Sequence, residues 1–68
     1  MDLKFWRLER HLTQFELSAA SGVPRWRIQL IEQRILVPEK SDLEKFTRVL
    51  GVKFEEPLGS QETGASND

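Results

Sequence analysis

The sequence predicts an all-α fold, a compact domain of five short helices. Three observations predict it: apolar residues recur at three- and four-residue spacing, two segments begin with a capping box, and Gly or Pro residues separate the segments. The domain is predicted to cover residues 1–58. Residues 59–68 are predicted to form a disordered tail, because GSQETGASND has no aliphatic residue larger than alanine.

The first helix is predicted over residues 2–10, where good helix formers follow an acidic residue that can cap the first turn. Leu3 and Trp6 fall on one side of this helix. Phe5 and Leu8 lie off that side, so they either widen the apolar face that packs in the core or form an exposed patch for a partner. We expect the first, because the core of so small a domain is small.

The second and third helices are predicted to be joined by a tight turn. The TQFE segment at residues 13–16 is a capping box, in which the Thr hydroxyl and the Glu carboxylate each accept a hydrogen bond from the other residue's amide. Gly22 can take the left-handed conformation that ends a helix, and Pro24 suits the first turn of the next helix. Ile28 and Ile31 then continue the spacing of a buried stripe.

Two further helices are predicted after a loop. Residues 33–40 contain a proline and lack helical periodicity, so their apolar segment 35–37 is expected to pack partly under the domain. The SDLE segment at residues 41–44 is read as a second capping box. One face of the helix that follows consists of Leu43, Phe46, Thr47 and Leu50. Gly51 is predicted to end this helix. A single-turn fifth helix is predicted over residues 54–58.

Composition excludes several classes of function. Cysteine is absent, which excludes disulfides and thiolate metal sites, and His11 alone cannot build a metal site. No apolar run approaches the roughly 20 residues of a membrane span. The N-terminus lacks a secretory signal, which predicts a cytoplasmic protein. No catalytic triad, paired-carboxylate cleft or phosphate-cradling glycine loop is evident, so no enzyme, cofactor or small-molecule ligand is predicted.

The distribution of charge is more informative than its sum. The net charge of −1 argues weakly against a partner rich in phosphate. However, residues 1–58 carry ten positive and nine negative charges. Within residues 25–34, Arg25, Arg27 and Arg34 accompany only Glu32, which makes a local basic patch.

Two short helices joined by a Gly-containing turn predict a helix-turn-helix, in which one helix lies across a DNA duplex and the next enters the major groove. The sequence resembles the phage repressor and Cro family, also called the XRE or lambda-repressor-like helix-turn-helix family, from about Leu3 to Leu58. The residues that carry the resemblance are Arg7, Thr13-Gln14, Leu17, Gly22-Val23, Ile28 with Glu32, Pro38 and Leu50-Gly51-Val52.

The resemblance implies DNA contacts from the second and third helices. Gln14 corresponds to the family residue whose side chain and helix-N-terminal amide hold a DNA phosphate. Such a contact positions the protein without specifying sequence. Trp26 is either partly buried or exposed toward a thymine methyl group, a sugar or a protein partner. The face that reads base edges in the family corresponds here to Arg25, Trp26, Arg27 and Gln29.

The resemblance also implies roles outside that face. Lys40 corresponds to a loop position near the phosphates or the minor groove, and Arg7 and Glu32 to a partly buried ion pair between the first and third helices. Two residues stand where the family commonly has Gly. His11 must therefore take a left-handed backbone or reshape its turn, and Arg34 is expected to add a phosphate contact.

The function implied by the resemblance is sequence-specific binding of double-stranded DNA by a bacterial or phage transcriptional regulator, acting as a repressor. A homodimer on a two-fold symmetric operator is expected, since one such module reads only a few base pairs. Pro57 interrupts the last helix that the family often uses to dimerise. Because the chain ends soon after this domain, no separate sensor domain is expected, as in Cro-like or restriction-control proteins.

The alternative function is that of a protein-interaction module, such as an antitoxin-like partner. It would keep the same fold and use Trp26 and nearby apolar residues to contact a protein. The near-neutral charge of the chain is the observation that favours it.

Overall fold

The computed structural model describes residues 2–54, which form four α-helices. The helices are α1 (Leu3–Glu9), α2 (Gln14–Ser21), α3 (Arg25–Glu32) and α4 (Lys40–Leu50). Residues 2–54 contain no strand, and the all-α class is confirmed. The predicted fifth helix at 54–58 and the predicted tail at 59–68 lie outside the described residues, except for Phe54, which is not helical. None of the four helices has the length and apolar character needed to cross a bilayer.

The core draws side chains from all four helices and from the turn between α2 and α3. Its buried members are Leu3, Leu17, Val23, Ile28, Ile31, Phe46 and Leu50. Burying each such side chain contributes about 1.5–3 kcal/mol. The apolar spacing predicted for α3 and α4 is confirmed, because Ile28, Ile31, Leu43, Phe46 and Leu50 are all buried.

The ends of α2 are fixed by the local interactions that the sequence predicts. The Thr13 hydroxyl accepts a hydrogen bond from the Glu16 amide at 3.0 Å, and Glu16 Oε1 accepts one from the Thr13 amide at 2.8 Å. This confirms the capping box. At the other end Gly22 is left-handed, with φ 84°, and its amide donates to the Ser18 carbonyl at 2.9 Å.

The start of α4 differs from the prediction, and the capping box expected at residues 41–44 is wrong. Helix α4 begins at Lys40 with Glu39 as its N-cap. Asp42, rather than Glu44, accepts a hydrogen bond from the N-cap amide, at 2.8 Å. The same carboxylate is held by Arg27 of α3, and this tertiary contact between distant residues is not visible in the local sequence pattern.

Helix α1 turns one apolar edge toward solvent. Leu3 and Arg7 are buried, whereas Phe5 and Leu8 are exposed, so the expectation that these two widen the core is wrong. The reason is geometric, because residues i, i+3 and i+4 share one face of a helix. Leu3, Trp6 and Arg7 occupy the face toward the core, whereas Phe5 and Leu8 lie outside it. Phe5 packs instead edge-on against Trp6, with ring centroids 5.0 Å apart.

The loop between α3 and α4 buries less of its apolar segment than predicted. Leu36 packs against the core, but Ile35 and Val37 are exposed. The backbone accounts for this, because Arg34 takes a left-handed conformation, with φ 63°, directly after the end of α3 and redirects the chain. Of residues 35–37, only Leu36 therefore contacts the core.

Two turns hold a residue other than glycine in the left-handed region. His11 has φ 58° and Arg34 has φ 63°. Of the two outcomes that the sequence leaves for His11, the structure shows the left-handed backbone. A side chain in this conformation costs about 1–2 kcal/mol relative to the ordinary helical region. Both turns are closed by backbone hydrogen bonds, from His11 to Leu8 at 2.9 Å and from Arg34 to Ile31 at 3.0 Å.

We expect Arg34→Gly to raise the free energy of unfolding by about 1 kcal/mol, because glycine adopts the left-handed conformation without steric cost. The matched control is Gln33→Gly at the preceding position, where φ is −81°. This control should lower stability by about 0.5–1 kcal/mol. Urea unfolding measures both, and a loss of stability in both variants would contradict the strain assigned to Arg34.

Candidate nucleic-acid interface

Helices α2 and α3 are joined by a three-residue turn that fixes one against the other. Gly22 takes the left-handed conformation, and Val23 is almost fully buried beneath the turn. The Ser21 hydroxyl, itself buried, accepts a hydrogen bond from the Val23 amide at 3.1 Å. Pro24 is the N-cap of α3, so the helix begins at Arg25. This arrangement presents the first turn of α3 at a defined position.

The Glu32 carboxylate, at the end of α3, joins three helices. Arg7 Nε donates to Glu32 Oε2 at 2.7 Å and Arg7 Nη2 donates to Oε1 at 3.2 Å. The two side chains are only 8% and 5% exposed. Arg7 Nη1 also donates to the Leu12 carbonyl at 2.7 Å. Buried charges need such paired partners, so this network fixes α3 on α1.

Gln14 belongs to the same network. Its Nε2 donates to Glu32 Oε1 at 3.1 Å, which ties the first residue of α2 to the last residue of α3. The amides of the first helical turn have no partner within the helix, and the helix dipole makes this end positive. The geometry is compatible with the phosphate contact predicted for Gln14, which stays a prediction.

Arg25, Trp26 and Gln29 lie on α3, where base contacts are predicted. Arg25 and Trp26 are exposed and Gln29 is half-buried. Trp26 is 58% exposed, so of the two outcomes left open the structure shows exposure. Gln29 lies four residues after Arg25 and three after Trp26, and positions with these spacings are neighbours on a helix surface. The three side chains therefore form one continuous surface.

The Arg25 guanidinium lies over an aromatic ring of α2. Its guanidinium carbon lies 4.3 Å from the centroid of the Phe15 ring. Phe15 is the second residue of α2 and is 68% exposed. Within residues 2–54 no side-chain hydrogen bond or ion pair engages Arg25. Its hydrogen-bond donors are thus left to solvent or to a ligand.

Arg27 is held by the N-terminal turn of α4. Its Nε donates to both Asp42 oxygens, at 3.0 and 3.1 Å, and its Nη2 donates to Asp42 Oδ2 at 2.8 Å. Glu39 Oε2 lies 3.7 Å from the same Nη2. The Arg27 side chain is 20% exposed and that of Asp42 is 6% exposed. A guanidinium whose N–H groups are engaged in this way has few hydrogen-bond donors left for DNA.

This contact lowers the pKa of Asp42 below its ordinary value. Burial of the carboxylate opposes its ionisation, but the hydrogen bonds from Arg27 and from the Glu39 amide, with the charges of Arg27 and Lys45, outweigh that effect. The same hydrogen bond to Asp42 raises the pKa of Arg27. Both groups are therefore charged across the neutral range.

The other predicted contacts lie at the edges of this surface. Arg34 is exposed in the left-handed position after α3. Lys40 is exposed too, but it is the first residue of α4 and not a loop residue as predicted. Arg10, by contrast, is engaged in the body of the domain, since its Nε donates to the Leu50 carbonyl at 2.9 Å.

A comparison with known protein families matches residues 3–56 to the family described as helix-turn-helix. The match includes all four helices and the Gly22 turn. The chain belongs to the XRE, Cro and lambda-repressor-like helix-turn-helix family. Its domain is a DNA-binding domain, and the family is not one of enzymes. A search of the curated proteins and of the solved structures finds no match.

Sequence reasoning missed two residues that hold the interface of this helix-turn-helix domain. Asp42 is 15 residues from Arg27, and no local pattern connects them. Phe15 gave no signal in the sequence, because a single exposed apolar residue is common on protein surfaces. Its contact with Arg25 depends on how α2 and α3 cross, which the sequence does not state.

We expect Arg7→Met or Glu32→Met to lower the free energy of unfolding of the helix-turn-helix domain by about 3–5 kcal/mol, because each leaves a buried charge without its partner. The double variant should lose much less than the sum, since no unpaired charge remains. Urea unfolding of the three variants checks this. Additive losses would mean that the two side chains do not interact.

The lowered pKa of Asp42 predicts a dependence of stability on pH. A carboxylate with a lower pKa in the folded chain stabilises the fold above its unfolded pKa of about 3.9, and this contribution is lost as pH falls through the folded pKa. We expect Asp42→Asn to lower the free energy of unfolding at neutral pH by about 1.5–3 kcal/mol. The difference from the wild type should shrink below about pH 4. A difference that stays constant down to pH 2 would contradict the assignment.

Proposed function

We propose that this helix-turn-helix domain is a sequence-specific transcriptional regulator that represses by placing α3 in the major groove of its operator. The observation that carries the proposal is the surface formed by Arg25, Trp26 and Gln29 at the exposed side of α3. It projects from a helix held by ion pairs at Arg27 and at Glu32, so its position is set before DNA binds. The major groove admits a helix of this size.

Three side chains are proposed to contact bases. Arg25 has free donors that can bond to guanine O6 and N7, and Gln29 can form the equivalent pair with adenine. Trp26 offers an exposed ring that can pack on a thymine methyl group or a sugar. Each well-formed pair discriminates against the wrong base by about 1–3 kcal/mol.

Arg27 has a different role in this proposal. The sequence pattern places it on the base-reading face, but its guanidinium is engaged by Asp42 and lies beside Glu39. A direct base contact would require it to leave these carboxylates. We therefore assign Arg27 to fixing α3 on α4 rather than to reading sequence.

Gln14, Arg34 and Lys40 are proposed to contact phosphates. Gln14 supplies the N-terminal end of α2, which attracts an anion. Arg34 and Lys40 are exposed cations on either side of the loop between α3 and α4. These contacts set the register of α3 in the groove and supply the salt-dependent part of the affinity.

The regulator is proposed to act as a homodimer on a two-fold symmetric site. A single module reads too few base pairs for useful specificity, and paired half-sites one helical turn apart supply the remainder. Exposed apolar side chains favour association with a further chain. They lie on α1 (Phe5 and Leu8) and in the loop after α3 (Ile35 and Val37).

A protein-interaction module is the second candidate function. The exposed rings of Phe15 and Trp26 favour it, because aromatic side chains are enriched in protein interfaces. In that case the same face of α3 would bind a protein, and duplex DNA would be a weak ligand.

Binding to duplex DNA across a salt series distinguishes the two functions. For the regulator, the logarithm of the association constant falls linearly with that of salt concentration, with a slope of about −0.9 for each phosphate contacted. We expect Arg34→Ala to make this slope about 1 unit less steep with little change in sequence preference. Arg25→Ala should instead lower affinity for the preferred duplex by about 1–3 kcal/mol and relax the choice of one base.

Arg48→Ala is the matched control, since it also removes one exposed arginine. It lies six residues after Asp42, about 9 Å further along α4. Its salt slope and base preference should equal those of the wild type. If the wild type shows no salt-dependent binding to duplex DNA at low ionic strength, the proposed regulator is excluded and the protein-interaction module is favoured.

A further inference from the structure

Phe15 is an exposed aromatic residue beside the proposed base-reading face, and core packing does not explain it. It is 68% exposed at the second position of α2, where most of its ring faces solvent. The Arg25 guanidinium lies over this ring at 4.3 Å from its centroid, within the range of a cation–π contact. The contact joins the first turn of α2 to the first residue of α3.

We propose that Phe15 is a positioning residue that holds the Arg25 guanidinium ready to read a guanine. The inference rests on the proposed function, since it requires that α3 enters the major groove. A guanidinium is planar, and an aromatic ring contacts it through its face. The N–H donors lie at its edge, and among residues 2–54 no side-chain hydrogen bond engages those of Arg25, so they remain available for guanine O6 and N7.

Arg27 shows the other way in which this domain fixes an arginine, by an ion pair with a carboxylate. It lies two residues after Arg25 on α3, but its edge donors are engaged by the Asp42 carboxylate at 2.8 to 3.1 Å. A carboxylate that fixes an arginine therefore occupies its N–H donors. An aromatic ring can fix an arginine through the face of the guanidinium and leave those donors free. The first arrangement anchors α3 through Arg27, and in the proposed complex the second presents Arg25 to DNA.

The stack lowers the entropic cost of binding. An arginine side chain has many rotamers in solution, and a contact that restricts them before binding leaves less freedom to be lost in the complex. An exposed cation–π contact changes an equilibrium about two- to fivefold. This is the size of the effect expected on affinity when the ring of Phe15 is removed and the site is otherwise intact.

The test uses the full chain and a duplex that the wild type selects from a random-sequence pool. The base that Arg25 reads is identified as the guanine whose replacement by 7-deazaguanine, which lacks the N7 acceptor, weakens binding of the wild type but not of Arg25→Gln. Phe15→Leu removes the ring, and Phe15→Tyr keeps it as the matched control. Arg25→Gln, alone and combined with Phe15→Leu, completes a double-mutant cycle.

We expect Phe15→Leu to bind the selected duplex about two- to fivefold more weakly and to lose less affinity than the wild type when 7-deazaguanine replaces that guanine. Phe15→Tyr should bind like the wild type in both respects. In the Arg25→Gln background, Phe15→Leu should have no further effect, because Phe15 acts through Arg25. Circular dichroism and thermal unfolding should match the wild type, since the ring is mostly exposed.

The outcomes separate this inference from the proposed function. Enrichment of no sequence by the wild type would overturn both. Enrichment of a sequence that Phe15→Leu binds as tightly as the wild type, with the same response to 7-deazaguanine, would overturn the role of Phe15 alone. An equal loss in Phe15→Tyr, or an undiminished effect of Phe15→Leu beside Arg25→Gln, would show that Phe15 contacts DNA itself and would overturn its positioning role.

Discussion

The orientation of α3, and with it the proposed DNA-binding face, depends on the Glu32 carboxylate. It is buried, and it accepts hydrogen bonds from Arg7 of α1 and from Gln14 of α2. An isolated helix of eight residues such as α3 would be unstable in water, so its orientation depends on tertiary contacts. Glu32 fixes the C-terminal end of α3, and the pair of Arg27 with Asp42 fixes its N-terminal half.

The same pairing explains how a nearly neutral chain presents a basic surface. Arg7 and Arg27 are neutralised by carboxylates inside the domain, and Arg10 is engaged by a backbone carbonyl. In the proposed DNA interface, positive charge then comes from three exposed residues, Arg25, Arg34 and Lys40. A surface with so few free cations gains a modest non-specific affinity from phosphates, which makes base contacts and dimer formation more important for the proposed regulator.

The sequence predicted those parts of the fold whose physical cause is local. The capping box at residues 13–16 and the left-handed Gly22 depend on residues within one turn, and the structure shows both. The start of α4 was mistaken because Asp42 is recruited by Arg27, a residue of another helix. The apolar spacing of α1 did not show that Phe5 and Leu8 rotate out of the core, since that depends on which face α3 covers.

The sequence predicted which residues lie at the candidate site, but not which of them contact DNA and which fix the helices. The resemblance to the family assigns both Arg25 and Arg27 to the base-reading face, and nothing in the sequence distinguishes them. Their neighbours differ, because α2 offers Arg25 a ring and α4 offers Arg27 a carboxylate. These neighbours are distant in the sequence, so the sequence could identify the face but not the role of each arginine.

Chemical protection of the selected duplex shows whether α3 enters the major groove. Dimethyl sulfate methylates guanine N7 in the major groove and adenine N3 in the minor groove. We expect the bound domain to protect guanine N7 within each half-site and to leave adenine N3 there reactive. Protection of adenine N3 with guanine N7 unchanged, or no protection of either atom in a saturated complex, would contradict it.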